Sequence, residues 1–316
     1  MLNILGITLP IFIIVAIGFV AVRSGYFVKT DIGILSKFVI NIALPALLFK
    51  SLSQRSFADI FNGRYLFVYA AASLLLFALG FALAYWREGR RLEAGALRGM
   101  GMSFSNSAFI GYPVLLQFVG PVGGVAVALC MLVETLIMLP LTLLLAEAGM
   151  HKGSEFSGNS VGKLLTSLLK ERLLKNPLIL SIVAAITFSS AGLTMPALLS
   201  RTIDLLAAAS SPVALFVIGG MLVGMQVQGM MLPVTQVFVG KLLLHPLLVF
   251  SLFMLLPPID ITLHNAAIVI ASMPMLSIYP VLGQKYKQGD VCSATMLTTT
   301  ALSFVTVSLV MWLLSL

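Results

Sequence analysis

The chain has 316 residues, of which 59% are hydrophobic and only 9% charged, and its mean hydropathy is +1.08. A soluble domain carries about 25% charged residues, so this composition excludes a water-soluble globular protein and calls for a bilayer. The formal net charge of +8 is distributed as membrane orientation requires and is no argument for a nucleic-acid partner.

Apolar runs of roughly 20 residues span a bilayer as helices. Ten can be marked, near 2–22, 32–52, 65–86, 98–118, 121–145, 176–190, 203–226, 232–256, 261–283 and 290–315. The first has no basic residue before Arg23, so it lacks the positive start of a cleaved signal and reads as a retained helix, kinked at Pro10. In the second, Asn41 lies four residues before Pro45; it either satisfies a carbonyl freed by the proline or contributes to a site.

The fourth segment carries Ser103, Ser105, Asn106 and Ser107, then Gly111, Tyr112 and Pro113. Proline removes an amide donor and crowds the carbonyl four residues back. Inside hydrocarbon such a break belongs where it lines a cavity or is buried in protein. Asn106 offers two donors and an acceptor, which suits a carboxylate. The fifth segment contains Glu134, a carboxylate at a costly depth; it reads as a proton carrier or as a group bonded to a neighbouring helix. Cys130 and Cys292 have no metal-type spacing and read as small buried residues.

Between the fifth and sixth segments lies a hydrophilic joint, 146–175, in which Val161, Leu164, Leu165, Leu168 and Leu169 recur at helical spacing among basic residues. That pattern predicts an amphipathic helix on the lipid surface. In the eighth segment Lys241 and His245 share a helical face. They form a cationic spot for an anion, pair with Glu134, or Lys241 snorkels to the interface. The ninth segment is the counterpart of the fourth: Met273, Pro274, Ser277, Tyr279 and Pro280 interrupt it. Asp260 and His264 read as interfacial. No metal cluster, nucleotide loop or nucleophile with a base is present in the sequence, so an enzyme and a bound cofactor are not expected.

With the N-terminus outside, fourteen of the 19 Lys and Arg residues, Arg98 among them, fall in cytoplasmic loops and four in outer ones, with Lys241 inside a helix. The positive-inside rule then predicts ten helices with both termini outside. Pro10, Pro45 and Pro113 recur as Pro177, Pro212 and Pro280 at an offset of 167, and Tyr112-Pro113-Val114-Leu115 recurs as Tyr279-Pro280-Val281-Leu282. Such self-similarity marks an internal repeat. Five helices per copy make the second copy inverted, so the expected architecture is an all-α membrane protein of two inverted five-helix repeats, 1–145 and 176–316. Interrupted helices at matching positions of two halves point to a transporter's binding site. A channel or a membrane sensor on the same fold are the rival readings.

Asn41-Ile42-Ala43-Leu44-Pro45, Asn106 with Ile110-Gly111-Tyr112-Pro113, Met273-Pro274, and the Lys285–Asp290 loop before a Ser/Thr-rich last helix resemble the auxin efflux carrier family over essentially the whole chain. Bacterial members include malonate and malate permeases, and Ile278-Tyr279-Pro280 is similar to the malonate branch. The resemblance implies a scaffold of helices 1, 2, 6 and 7, often a homodimer surface, and a moving domain of helices 3–5 and 8–10. Helices 4 and 9 would cross at their prolines, with Asn106 on the substrate carboxylate. Where plant auxin carriers have an Asn on helix 9, this chain offers Met273, Met275 and Ser277, and its central loop is short, so auxin is not the expected substrate. The family points to Pro274 as the crossover, the internal repeat to Pro280. The expectation is a small organic anion carrier of the inner membrane, coupled to protons through Glu134, with sodium coupling of the bile-acid type ranked lower.

Overall fold

The computed structural model describes residues 2–55, 60–150, 175–225 and 230–315. Among these every regular element is helical. The order is α1 (Leu2–Arg23), α2 (Lys29–Phe38), α3 (Leu44–Ser53), α4 (Gly63–Arg87), α5 (Leu92–Ser103), α6 (Tyr112–Phe118), α7 (Val122–Val133) and α8 (Leu139–Met150). It continues with α9 (Pro177–Ser190), α10 (Ala197–Met221), α11 (Met231–Val239), α12 (His245–Met254), α13 (Ile261–Ala271), α14 (Tyr279–Lys285) and α15 (Gly289–Leu314). Among the described residues seven helical stretches are long and apolar enough to cross a bilayer: Ile4–Arg23, Lys29–Ser53, Gly63–Arg87, Val122–Met150, Ala197–Met221, Met231–Met254 and Gly289–Leu314. Two shorter apolar helices, Pro177–Ser190 and Ile261–Ala271, fall at the sixth and ninth predicted segments. The amphipathic helix expected near 161–169 lies outside the described residues.

Lipid replaces water as the solvent of these helices, so they need no polar outer face. Along α1, Leu5, Leu9, Ile13, Ile17 and Val20 are exposed while Ile4, Thr8, Ile11, Val15 and Val22 are buried. Both faces are apolar, and packing alone separates them.

Four helices contain a π-turn: Val39–Ala43, Ser107–Gly111, Glu134–Met138 and Gly240–Leu244. Each turn ends two residues before a proline, namely Pro45, Pro113, Pro140 and Pro246. A proline cannot donate to the helical ladder and clashes with the preceding turn; widening that turn relieves the clash. Within the first, the Asn41 amide donates to the Lys37 carbonyl at 2.8 Å, a local bond one turn back. The carbonyl four residues before Pro45 is Asn41's own, so this is not the repair expected from the sequence.

The chain divides into two compact units, one of residues 1–63, 107–129 and 174–223, the other of 64–106, 130–173 and 224–316. The first holds α1–α3, α9 and α10, but also α6 and the start of α7, which the resemblance assigned to the moving domain. In it α1 and α10 approach backbone to backbone: a Cβ on Gly18 would strike the Phe216 carbonyl, and one on Gly219 the Val15 carbonyl. Small residues permit this contact in membranes. Phe49 and Phe188 pack edge to face at 5.7 Å, and Lys50 pairs with Asp204 at 2.7 Å.

In the second unit α5 is enclosed, with every residue from Glu93 to Ser103 buried. Glycines make room around it. A Cβ on Gly101 would lie 2.6 Å from the Tyr279 hydroxyl oxygen, so α14 rests on that bare stretch. Arg98 is not the loop residue of the sequence reading. It lies inside α5 at 4% exposure, bonded to Gln236 at 2.6 Å and Glu88 at 2.7 Å. These partners let the helix begin at Leu92, earlier than the apolar run alone predicts.

Candidate functional site

The site starts from a broken helix. After Ser103, Phe104 is extended, with φ −85° and ψ 146°, and helical geometry resumes only at Ser107. The break frees backbone donors that hydrocarbon cannot satisfy. Asn106 N–H donates to the Pro274 carbonyl at 2.7 Å, and Ser105 N–H donates to Glu134 Oε1 at 2.7 Å. On the ninth segment α13 stops at Ala271, and its freed carbonyl accepts from Lys241 Nζ at 2.9 Å. The first break thus meets Pro274, while Pro280 is the second residue of α14.

Around these bonds is a buried polar cluster. Lys241 and His245 are fully buried, Glu134 is 4% exposed and Asn106 1%. Besides Ala271, Lys241 Nζ reaches Ser105 Oγ at 2.7 Å and His245 Nδ1 at 2.7 Å. An ammonium has three donors, and here all three are used. Lys241 therefore does not snorkel to the interface; its donors are taken up within the protein. His245 Nδ1 must accept, so the ring is neutral with its proton on Nε2, which lies 3.1 Å from Ser73 Oγ. The Tyr69 hydroxyl lies 3.0 Å from Ser105 Oγ and 3.1 Å from Glu134 Oε1. Cys130 is buried beside Glu134 and Tyr69.

The predicted residues divide between the two units. Ser105, Asn106, Glu134, Lys241, His245, Met273, Pro274, Ser277, Tyr279 and Pro280 belong to one, and Ser107, Tyr112 and Pro113 to the other. Met273 and Met275 are fully buried, and the Thr299 hydroxyl donates to Met275 Sδ at 2.9 Å. Ser277 is half-buried. Tyr112 lines a cavity of about 750 Å³ with Lys50, Ser51, Gln54, Arg55 and Asp204, residues the sequence reading did not single out. Asp260 caps α13 through Thr262 N–H and Leu263 N–H. Beyond the spans, a hydrogen bond to Glu147 holds the Lys285 ammonium above the usual lysine range. Among the described residues no group of three His, Cys, Asp or Glu could hold a metal ion.

Tyr69, Ser73 and Cys130 were missed. Tyr69 and Cys130 pass for apolar filler in their helices, although a buried Tyr hydroxyl needs a partner. A signal was present in Pro140 and Pro246, which follow Glu134 and Lys241 by six and five residues and place both charges in π-turns, frequent at functional sites.

A protein of Rhizobium meliloti named "Putative malonate transporter" is 27% identical over 99% of this chain and 96% of its own length. The "Uncharacterized transporter YfdV" of Escherichia coli K12 is 27% identical over 68% of this chain and 67% of its own. The mouse "Lysosomal cholesterol signaling protein" is 25% identical over 82% of this chain, which spans 31% of that relative. The family model described as "Membrane transport protein" matches residues 4–311. With transporters among its relatives and broken helices joined at a buried charge cluster, this chain belongs to that membrane transport family, the auxin efflux carrier family its motifs resemble, and is a transporter rather than an enzyme.

Proposed function

We propose that this protein is a secondary transporter of small organic anions, malonate-like dicarboxylates above all, working by elevator-type alternating access. The observation that carries the reading is the bond between the two breaks, Asn106 N–H to Pro274 O at 2.7 Å. It sets an amide side chain, able to donate to a carboxylate, where two interrupted helices meet. The seven-residue helices α6 and α14 both begin at the repeated Tyr-Pro-Val-Leu, which supports two inverted five-helix copies, 1–145 and 176–316, joined by a cytoplasmic linker. The distribution of Lys and Arg supports both termini lying outside the cytoplasm in the inner membrane. The name of the Rhizobium relative supports malonate.

Protons are the coupling ion in this reading, with Glu134 as carrier. The oxygen ligands that sodium would take near the breaks, Ser105 Oγ and the Ala271 carbonyl, are bonded to Lys241. The family resemblance, in which the scaffold helices often form a dimer surface, supports a homodimer.

Reconstituted protein tests the reading through uptake of labelled malonate, malate, succinate and indole-3-acetate, with and without proton and sodium gradients. Malonate uptake is expected to depend on the proton gradient, and Asn106→Ala to abolish it at unchanged expression. Undiminished uptake by that variant would refute the site. Failure of every organic anion to move would favour a sensor on the same fold.

A further inference from the structure

We propose that Lys241, Ser105, Tyr69 and Glu134 form a proton wire through which the buried charge pair discharges in place, unlocking the two helix breaks. The inference deepens the transport reading and rests on it only for its purpose, since the wire itself follows from counting hydrogens. Its members come from α4, the break after α5 and two π-turns, and none is more than 4% exposed. Successive contacts are 2.7 Å from Lys241 Nζ to Ser105 Oγ, 3.0 Å from Ser105 Oγ to the Tyr69 hydroxyl, and 3.1 Å from Tyr69 to Glu134 Oε1.

Tyr69 has one hydrogen and a carboxylate has none to give. With Glu134 ionised, Tyr69 donates to it, Ser105 donates to Tyr69, and the Lys241 ammonium donates to Ser105. Every group between the charges is then used once, in one direction. The reverse direction is equally complete. If one Nζ–H proton passes to Ser105 Oγ, the Ser105 proton to Tyr69 and the Tyr69 proton to Glu134 Oε1, three O–H or N–H bonds break and three form. Lys241 becomes a neutral amine that still donates to His245 Nδ1 and the Ala271 carbonyl and now accepts from Ser105. Glu134 becomes a carboxylic acid that donates to Tyr69 and still accepts from Ser105 N–H. No hydrogen bond of the wire is lost, and the net charge is unchanged.

The other groups facing the wire leave both arrangements intact. His245 accepts from Lys241 in each, its second nitrogen lying on Ser73. Cys130 lies on Glu134 and Tyr69, and Tyr65 stacks on Tyr69 at 6.2 Å.

The two arrangements differ in how firmly they hold the breaks. In the ionised one, Ser105 N–H meets a carboxylate and the Ala271 carbonyl an ammonium. Charge-assisted bonds are roughly twice as strong as neutral ones, so discharge weakens both clasps together. It also removes separated charge that is costly to carry at membrane depth.

The experiment is infrared spectroscopy of the full-length protein in phosphatidylethanolamine–phosphatidylglycerol vesicles, reading the protonated-carboxyl C=O band assigned by its loss in Glu134→Gln. Wild type is expected to show the band. Tyr69→Phe and Ser105→Ala cut the wire at different bonds and should each slow the rise of the band after a temperature jump, whereas Ser105→Thr keeps the hydroxyl and the wild-type rate. Malonate uptake should be slower in D2O for wild type and Ser105→Thr, with the ratio falling to near one in Tyr69→Phe. No band in wild type, or a band that rises at the wild-type rate in Tyr69→Phe, overturns the wire whatever uptake shows. Absent uptake with the band pattern intact refutes the transport reading and leaves the wire standing.

Discussion

The two helix breaks solve opposite halves of one problem. Where α5 stops, the chain leaves donors exposed, and it answers with acceptors: Glu134 for Ser105 N–H and the Pro274 carbonyl for Asn106 N–H. Where α13 stops, the Ala271 carbonyl is left over, and the answer is the Lys241 ammonium. The signs follow the helix dipole, which favours a cation at a helix's C-terminal end and an anion where helical amides begin. Under the 167-residue offset Glu134 corresponds to Ala301 and Lys241 to Leu74. Neither charge has a counterpart at that offset, so the two breaks differ in chemistry.

The comparison predicts unequal sensitivity. The largest effect is expected from Lys241→Met, which strips donors from Ser105, His245 and Ala271 and leaves Glu134 buried without its cation. Removing one member of such a pair costs about 3–5 kcal/mol, to be read as a lowered midpoint in denaturant or heat. Adding Glu134→Gln to it should recover part of the loss, and a double-mutant cycle with no coupling would show the two breaks to be independent. Next is Gly101→Ala, whose methyl would press on Tyr279 at the start of α14. Overpacking of this kind costs about 1–3 kcal/mol; an unshifted midpoint would show that α14 is free to move away. The smallest effect belongs to Glu134→Gln alone, because the amide oxygen still accepts from Ser105 N–H and Tyr69 and the Lys241 ammonium, though it loses its anion, keeps all three of its acceptors. A loss of about 1 kcal/mol is expected, and a loss equal to that of Lys241→Met would mean that charge, rather than bond count, holds the first break.

Much of this was legible beforehand. Apolar runs marked the long helices because lipid tolerates no other surface, and Pro274 marked the second break. The first lies at Phe104-Ser105-Asn106, and Pro113 further on widens the helix into a π-turn instead. Glu134, Lys241 and His245 stood out as polar groups in apolar helices. What the sequence left open was partnership. Three roles were available to Lys241, and only geometry reveals that Ser105, His245 and Ala271 consume its donors. Arg98 was counted as a loop residue because charge next to an apolar run reads as an interface, whereas Glu88 and Gln236 draw it inside α5. Tyr69 gave no signal because its hydroxyl matters only through residues 36 and 65 positions away.

The π-turns bear on how positions that match at the 167-residue offset can be compared at all. Pro45 and Pro212 align under the ungapped offset, yet a π-turn precedes Pro45 while α10 runs through Pro212 as continuous α-helix. A π-turn inserts one residue into the helical ladder, and one residue is about 100° of rotation. Upstream of those prolines, positions that align in sequence therefore point around the helix axis in different directions. Transplanting a side chain across that offset by alignment would deliver it to the wrong side of its helix, so the matched positions have to be translated through their prolines before they can be used as a map.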